Sequence, residues 1–143
     1  MTIEMQKKGG ALKAIAIGIG CDRGTPLKTL QTALDLALGK IQAQQDQIAC
    51  FASIDKKADE ESINQLVKQM GKEITYYSAS KLAQVEVPNP SEVVMKYVGT
   101  PAVSEAAAIL VANTTMQNLL VEKFKYRGED GKNATISIVK IPN

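Results

Sequence analysis

A three-layer α/β/α domain on a mostly parallel sheet, with an antiparallel edge from a C-terminal hairpin, is the fold this 143-residue sequence predicts. Three observations carry the prediction. The stretch Ala14 to Thr25, Ala-Ile-Ala-Ile-Gly-Ile-Gly-Cys-Asp-Arg-Gly-Thr, reads as a buried strand passing through a glycine-punctuated turn into a helix. Short apolar runs at Ile48–Ile54 and Ile74–Tyr77 then alternate with helical stripes, as crossover connections in a parallel sheet require. Near the C-terminus, Asp130-Gly131 lies between two strand-like runs and signals a hairpin.

The elements follow in order. Residues 1–10 are polar and end in Lys7-Lys8-Gly9-Gly10, which marks them as a flexible tail before a single domain over 11–143. Thr25 is placed to cap a helix with Pro26 at its first position, where the missing N–H costs nothing. Leu27, Leu30, Leu34, Ala37, Leu38 and Ile41 give that helix one apolar stripe, with Gly39 ending or loosening it. Ile48–Ile54 is the second strand, expected to bury Cys50 on both faces. Asp59 is positioned to cap the next helix, whose inward residues are Ile63, Leu66, Val67 and Met70, and Gly71 closes it. Ile74–Tyr77 is the third strand, and Ser78 caps a short helix through Leu82.

Two prolines rule out helix across Val85 to Pro90. Ser91 starts a helix to about Tyr97, and Gly99-Thr100-Pro101 opens another from Val103 to about Ala112, whose Ala106-Ala107-Ala108 face is small enough to lie close on a sheet. Leu119–Val121 and Thr135–Ile141 are the last strands. If the intervening chain is strand, Phe124 and Tyr126 share one face, packing on the domain or on a second subunit, and Lys123, Lys125 and Arg127 share the other.

Composition narrows the function classes. Seventeen basic residues stand against fifteen acidic ones, interspersed along the chain, which argues against nucleic acid or a membrane surface as partner. No apolar run approaches the ~20 residues of a membrane span, and the first residues lack a secretory signal. Cys21 and Cys50 are expected as unlinked thiols in a reducing, cytoplasmic setting. With no histidine and two separated cysteines, the sequence offers no metal site, and no cofactor is expected.

The chemistry centres on the loop after the first strand. A strand, a tight glycine loop and a helix N-terminus aim backbone N–H groups at the space above the strand's carboxyl end, where an anion can settle. The dinucleotide fingerprint fails, because Gly18 and Gly20 are followed by Arg23 where the third glycine belongs. The P-loop fails because no lysine precedes Thr25. Gly24-Thr25-Pro26 recurs as Gly99-Thr100-Pro101; either Thr-Pro is simply a good helix start, or two helix N-termini face one cleft holding a ligand with several carboxylates. On the second reading Arg23, Thr25, Thr100 and Ser104 line that cleft, with Lys57 at the end of the second strand. The plainer alternatives are that Arg23 pairs with Asp22 or Asp55 and that Lys57 is a solvated charge.

Four blocks make a recognisable pattern: Gly18 to Thr25, Ala52 to Glu60, Val87 to Val94, and Val98 to Ala108. In that order they resemble the CobE protein and CbiG C-terminal domain family of cobalamin biosynthesis. The resemblance implies a role at the precorrin-5 stage of corrin ring formation. There, CbiG-like proteins open the lactone of cobalt-precorrin-5A and release acetaldehyde. It further implies a polycarboxylate corrinoid ligand, with any cobalt belonging to the substrate. The expected binding residues are Gly20, Cys21, Arg23, Gly24, Thr25, Ser53, Lys57, Ser91, Gly99, Thr100 and Ser104. Lactone opening needs a base, for which Asp55, Asp59, Glu60 and Glu105 are the candidates, and Cys21 is a conceivable nucleophile. The alternative is a non-catalytic carrier or partner domain. A separate CbiG N-terminal-like chain, other cobalamin-pathway enzymes and a second copy of this chain are the expected protein partners.

Overall fold

A computed structural model describes residues 14–88 and 103–142. The helix expected from Ser91 and the Gly99-Thr100-Pro101 start lie outside the described residues. Five strands form one sheet in the order β3-β2-β1-β5-β4. They are β1 (Ile15–Cys21), β2 (Ile48–Ile54), β3 (Ile74–Tyr77), β4 (Leu119–Arg127) and β5 (Asn133–Lys140). β1, β2 and β3 pair in parallel, and β5 runs antiparallel to both β1 and β4. This is the mixed three-layer α/β architecture expected, with the hairpin adding the antiparallel edge.

The faces of β1 explain the layering. Ile15, Ile17 and Ile19 point to one side and pack with Leu30, Ala33, Leu34 and Ala37 of α1 (Leu27–Lys40) and Ile63, Leu66 and Val67 of α2 (Glu61–Gln69). On the other side Ala16 and Ala52 meet Ala106, Ala107, Ala108 and Ile109 of α4 (Val103–Val111). Leu82 of the short α3 (Ala79–Ala83) completes that layer, and Ser78 caps α3 by accepting from the Lys81 N–H at 3.2 Å.

The small face of α4 has a counterpart in β1. A Cβ built on Gly18 would lie 1.8 Å from the Ser104 carbonyl oxygen, so only glycine lets the helix backbone come this close.

Two caps differ from expectation. α1 begins after Pro26, which occupies the cap position without a side-chain bond, because the Thr25 hydroxyl turns back to the Asp22 carbonyl. At α2 the cap position is Glu60, again with no side-chain cap, because Asp59 and Glu60 both reach toward Arg23. Gly39 lies within α1, which ends one residue later.

β4 extends well past Val121, so Phe124 and Tyr126 fall inside a strand and pack against the α1 side of the core, while Lys125 and Arg127 are exposed. Cys50 is half-buried at the margin of the α4-side core rather than enclosed on both faces, since its neighbour Ala49 already faces solvent. Both cysteines are free thiols. The sheet edges are protected in different ways: β3 has only 4 residues, and β4 carries register shifts and outward cations. Among the described residues no helix is long and apolar enough to cross a membrane.

Candidate functional site

The loop joining β1 to α1 is tied down by its own side chains. Asp22 Oδ2 accepts the Asn133 backbone N–H at 2.8 Å and its side-chain amide at 3.2 Å, while the Asp22 N–H donates to the Asn133 carbonyl at 3.0 Å. This clasp joins the end of β1 to the start of β5. Thr25 is buried and donates its hydroxyl to the Asp22 carbonyl at 2.7 Å. Gly24 sits at φ +81, a backbone region that favours glycine, and its N–H donates to Glu60 Oε2 at 3.0 Å. The N–H expected to meet a ligand anion is therefore held by a carboxylate of the chain itself.

Around that contact lies a compact ion cluster. Arg23 Nη1 stands 3.0 Å from Asp59 Oδ1 and 3.1 Å from Glu60 Oε1, and Nη2 donates to the Lys56 carbonyl at 3.3 Å. Lys57 Nζ is 3.8 Å from Glu60 Oε1. Arg23 thus pairs with neither Asp22 nor Asp55, and Lys57 is not merely a solvated charge. The Arg23 guanidinium holds the Asp59 carboxyl below its ordinary range, so it stays ionised.

Beside this cluster, at the carboxyl ends of β1 and β2, opens a cleft of about 340 Å³ lined by Gly20, Cys21, Arg23, Ile54, Lys56, Lys57 and Val103. Its position, outside the carboxyl ends of adjacent parallel strands, is where open α/β sheets collect ligands. Ile54 and Val103 supply apolar surface, and three cations stand around it.

The structure brings Gly20, Cys21, Arg23 and Lys57 of the expected binding residues to this cleft. Gly24 contributes the turn behind it. Three others are turned into the fold. Thr25 braces the loop, the Ser53 hydroxyl is buried and donates to the Ile19 carbonyl at 2.6 Å, and the buried Ser104 hydroxyl bonds that of Ser137 at 2.8 Å. Each satisfies a polar group that packing has removed from water, and none of the three lines the cleft. Ser91, Gly99 and Thr100 lie outside the described residues.

The candidate bases also separate. Asp55 is exposed at the head of the 3₁₀ turn after β2 and does not line the cleft; Asp59 and Glu60 are engaged by Arg23. Glu105 is fully buried in the first turn of α4. Burial raises its carboxyl to about 7, against the partial offset of Lys123. Burial likewise pushes the Cys21 thiol above its usual value, outweighing Lys57, so the loop does not supply the thiolate a nucleophile needs. Among the described residues no group of acids, cysteines and histidines is arranged to hold a metal.

Lys56, Ile54 and Val103 belong to the cleft but not to the expected set. Lys56 had a signal, its place beside Lys57 directly after a strand. Val103 had none, because only packing brings the start of α4 over the end of β2.

Comparison with known proteins agrees with this architecture. Residues 15–139 match the family model described as cobalamin synthesis G C-terminus. A cobalt-precorrin-5A hydrolase from Priestia megaterium is 33% identical over 130 residues, covering 91% of this chain and 33% of the hydrolase. The chain thus spans about a third of that relative's length. Protein CobE from Sinorhizobium sp is 30% identical over 107 residues, covering 73% of this chain and 68% of that protein. A crystal structure of CobE, a protein from the cobalamin biosynthetic pathway, superposes with a TM-score of 0.73 at 26% identity, covering 90% of this chain and 91% of that one. A match over nearly all of the described sheet and helices, in sequence and in fold, places the chain in the CobE/CbiG C-terminal family of cobalamin biosynthesis.

Proposed function

We propose that this chain acts at the precorrin-5 stage of corrin ring formation by holding a polycarboxylate corrinoid intermediate at the cleft above β1 and β2. The observation that carries the reading is the cleft's composition, with Arg23, Lys56 and Lys57 around apolar surface from Ile54 and Val103. A corrinoid intermediate presents acetate and propionate groups around a broad apolar ring, so its rim needs cationic donors and its face needs apolar contact. A cleft of about 340 Å³ is at the small end for ligand sites and suits one edge of a macrocycle.

Binding fits the side chains better than self-contained catalysis. Asp59 and Glu60 are engaged by Arg23, the Cys21 thiol is raised, and Glu105 is buried in α4 and does not line the cleft. A nucleophile and base for lactone opening would have to come from another chain or another region. The second reading, a component of a cobalt-precorrin-5A hydrolase, is favoured by one specific observation: the Priestia megaterium relative carries that name and aligns with this chain over 33% of its length.

Titration with cobalt-precorrin-5A, following its absorption spectrum and assaying acetaldehyde, tests both readings. Binding predicts a saturable spectral change without acetaldehyde from the chain alone. Acetaldehyde release by the chain alone would overturn the non-catalytic reading, and an unchanged spectrum would overturn binding.

A further inference from the structure

Asp59 and Glu60 are consecutive acids that reach the same nitrogen of Arg23, at 3.0 and 3.1 Å, yet their surroundings differ sharply. The Glu60 side chain is 6% exposed, also accepts the Gly24 N–H at 3.0 Å, and faces Lys57 at 3.8 Å. The Asp59 side chain is 79% exposed, and its only ion pair among the described residues is with Arg23. One acid is built into the fold and the other lies on its surface.

Resting on the ligand reading above, we propose that Asp59 is a displaceable stand-in for a ligand carboxylate. It occupies one edge of the Arg23 guanidinium, and a carboxylate of the bound corrinoid takes its place while Glu60 keeps Arg23 in position.

Three physical points support the exchange. Replacing one carboxylate by another on the guanidinium leaves Arg23 with the same number of acid partners, so the cation is not left unpaired, while the displaced Asp59 carboxylate is exposed enough to be solvated by water. The Arg23–Asp59 pair is exposed on both sides, where water and salt already screen it, so releasing Asp59 is easy. Glu60 is not exchangeable in the same way, because its departure would strip the partly buried Gly24 N–H of its acceptor. Lys56, which lines the same cleft and makes no ion pair among the described residues, is placed to take a second carboxylate of the same ligand. Asp59 then acts as a filter: a ligand must offer a carboxylate at Arg23 to displace it, and a neutral macrocycle gains nothing there.

The test is a double-mutant cycle on the full chain, with uroporphyrin, a tetrapyrrole bearing eight carboxylates, as the probe and its absorption and fluorescence as the readout. Thermal melts check that each variant folds. Asp59→Asn is expected to tighten binding about two- to five-fold, the scale on which an exposed ion pair competes. In an Arg23→Gln background the same substitution should change nothing, since Asp59 no longer has a guanidinium to block. A gain of equal size in both backgrounds would mean that Asp59 merely repels an anionic ligand through space, and would overturn the exchange. Unchanged or weaker binding by Asp59→Asn, with the wild type binding well, would also overturn it but leave the ligand reading standing. No binding by any folded variant would overturn both.

Discussion

At the start of α2, Glu60 is buried among Gly24, Arg23 and Lys57; in the first turn of α4, Glu105 is fully buried, with Lys123 of β4 as the group that offsets its charge. The same side chain is removed from water in both places, and the surroundings decide what form it takes. Glu60 meets two cations through Oε1 and an N–H through Oε2, which keep its charge paired and hold α2 against the β1 loop. Glu105 meets alanines, the β4 backbone and a single offsetting charge, Lys123, with Glu122 opposing it, so burial favours the protonated acid. One helix start is held by polar partners, the other by close apolar approach. Their responses to pH point in opposite directions. The Arg23–Asp59 pair beside α2 contributes above Asp59's ordinary carboxyl range and is lost only as pH falls through its lowered value, whereas the α4 seat weakens as pH rises.

The largest expected effect breaks the α4 side at its closest point. Gly18→Ala forces a Cβ to 1.8 Å from the Ser104 carbonyl, so the helix must lift from the sheet. Denaturant melts should show a loss of at least about 3 kcal/mol, at the upper end for overpacking. Gly20→Ala, whose Cβ would meet nothing within 4 Å, is the matched control and should fold normally.

Next comes the titration of Glu105. Its folded value of about 7 lies above the ordinary 4.5, so the folded state binds the proton more tightly than the unfolded state. The sign follows: no cost below about pH 4.5, a growing cost between the two values, and the full cost above about 7. Glu105→Gln removes that slope and should stabilise the protein at pH 8 by on the order of 2 kcal/mol. Equal stability of wild type and variant across pH 5 to 8 would show that Lys123 compensates the buried carboxylate in full.

On the α2 side, Glu60→Ala leaves the Gly24 N–H without its acceptor and loosens Arg23 and Lys57. A loss of about 1–3 kcal/mol is expected, below the Gly18 effect because the freed cations can turn to water. The smallest effect belongs to Lys56→Gln, which should leave the melt unchanged while weakening uroporphyrin binding and lowering its salt dependence. A shifted melt would make Lys56 part of the scaffold rather than of the cleft.

Much of the α4-side fold was legible because its signals are local. Ala106-Ala107-Ala108 announces a close helix, and alternation along β1 assigns its two faces. The site was less legible. Arg23 and Lys57 could be placed near a strand end from the chain order, but the inward turn of Thr25, Ser53 and Ser104 depends on partners at Asp22, Ile19 and Ser137, the last of them 33 residues from Ser104.

By itself, the sequence determined the class of fold, the order of its strands and helices along the chain, and the family resemblance, because apolar period, glycine turns and contiguous motifs are properties of neighbouring residues. Only the tertiary structure decided which acid would be buried against two cations and which against one, and that Glu60 rather than a ligand would hold the Gly24 N–H. Those outcomes rest on charges and donors brought together across 36 residues of chain, where burial sets the strength of each interaction and no local pattern records it.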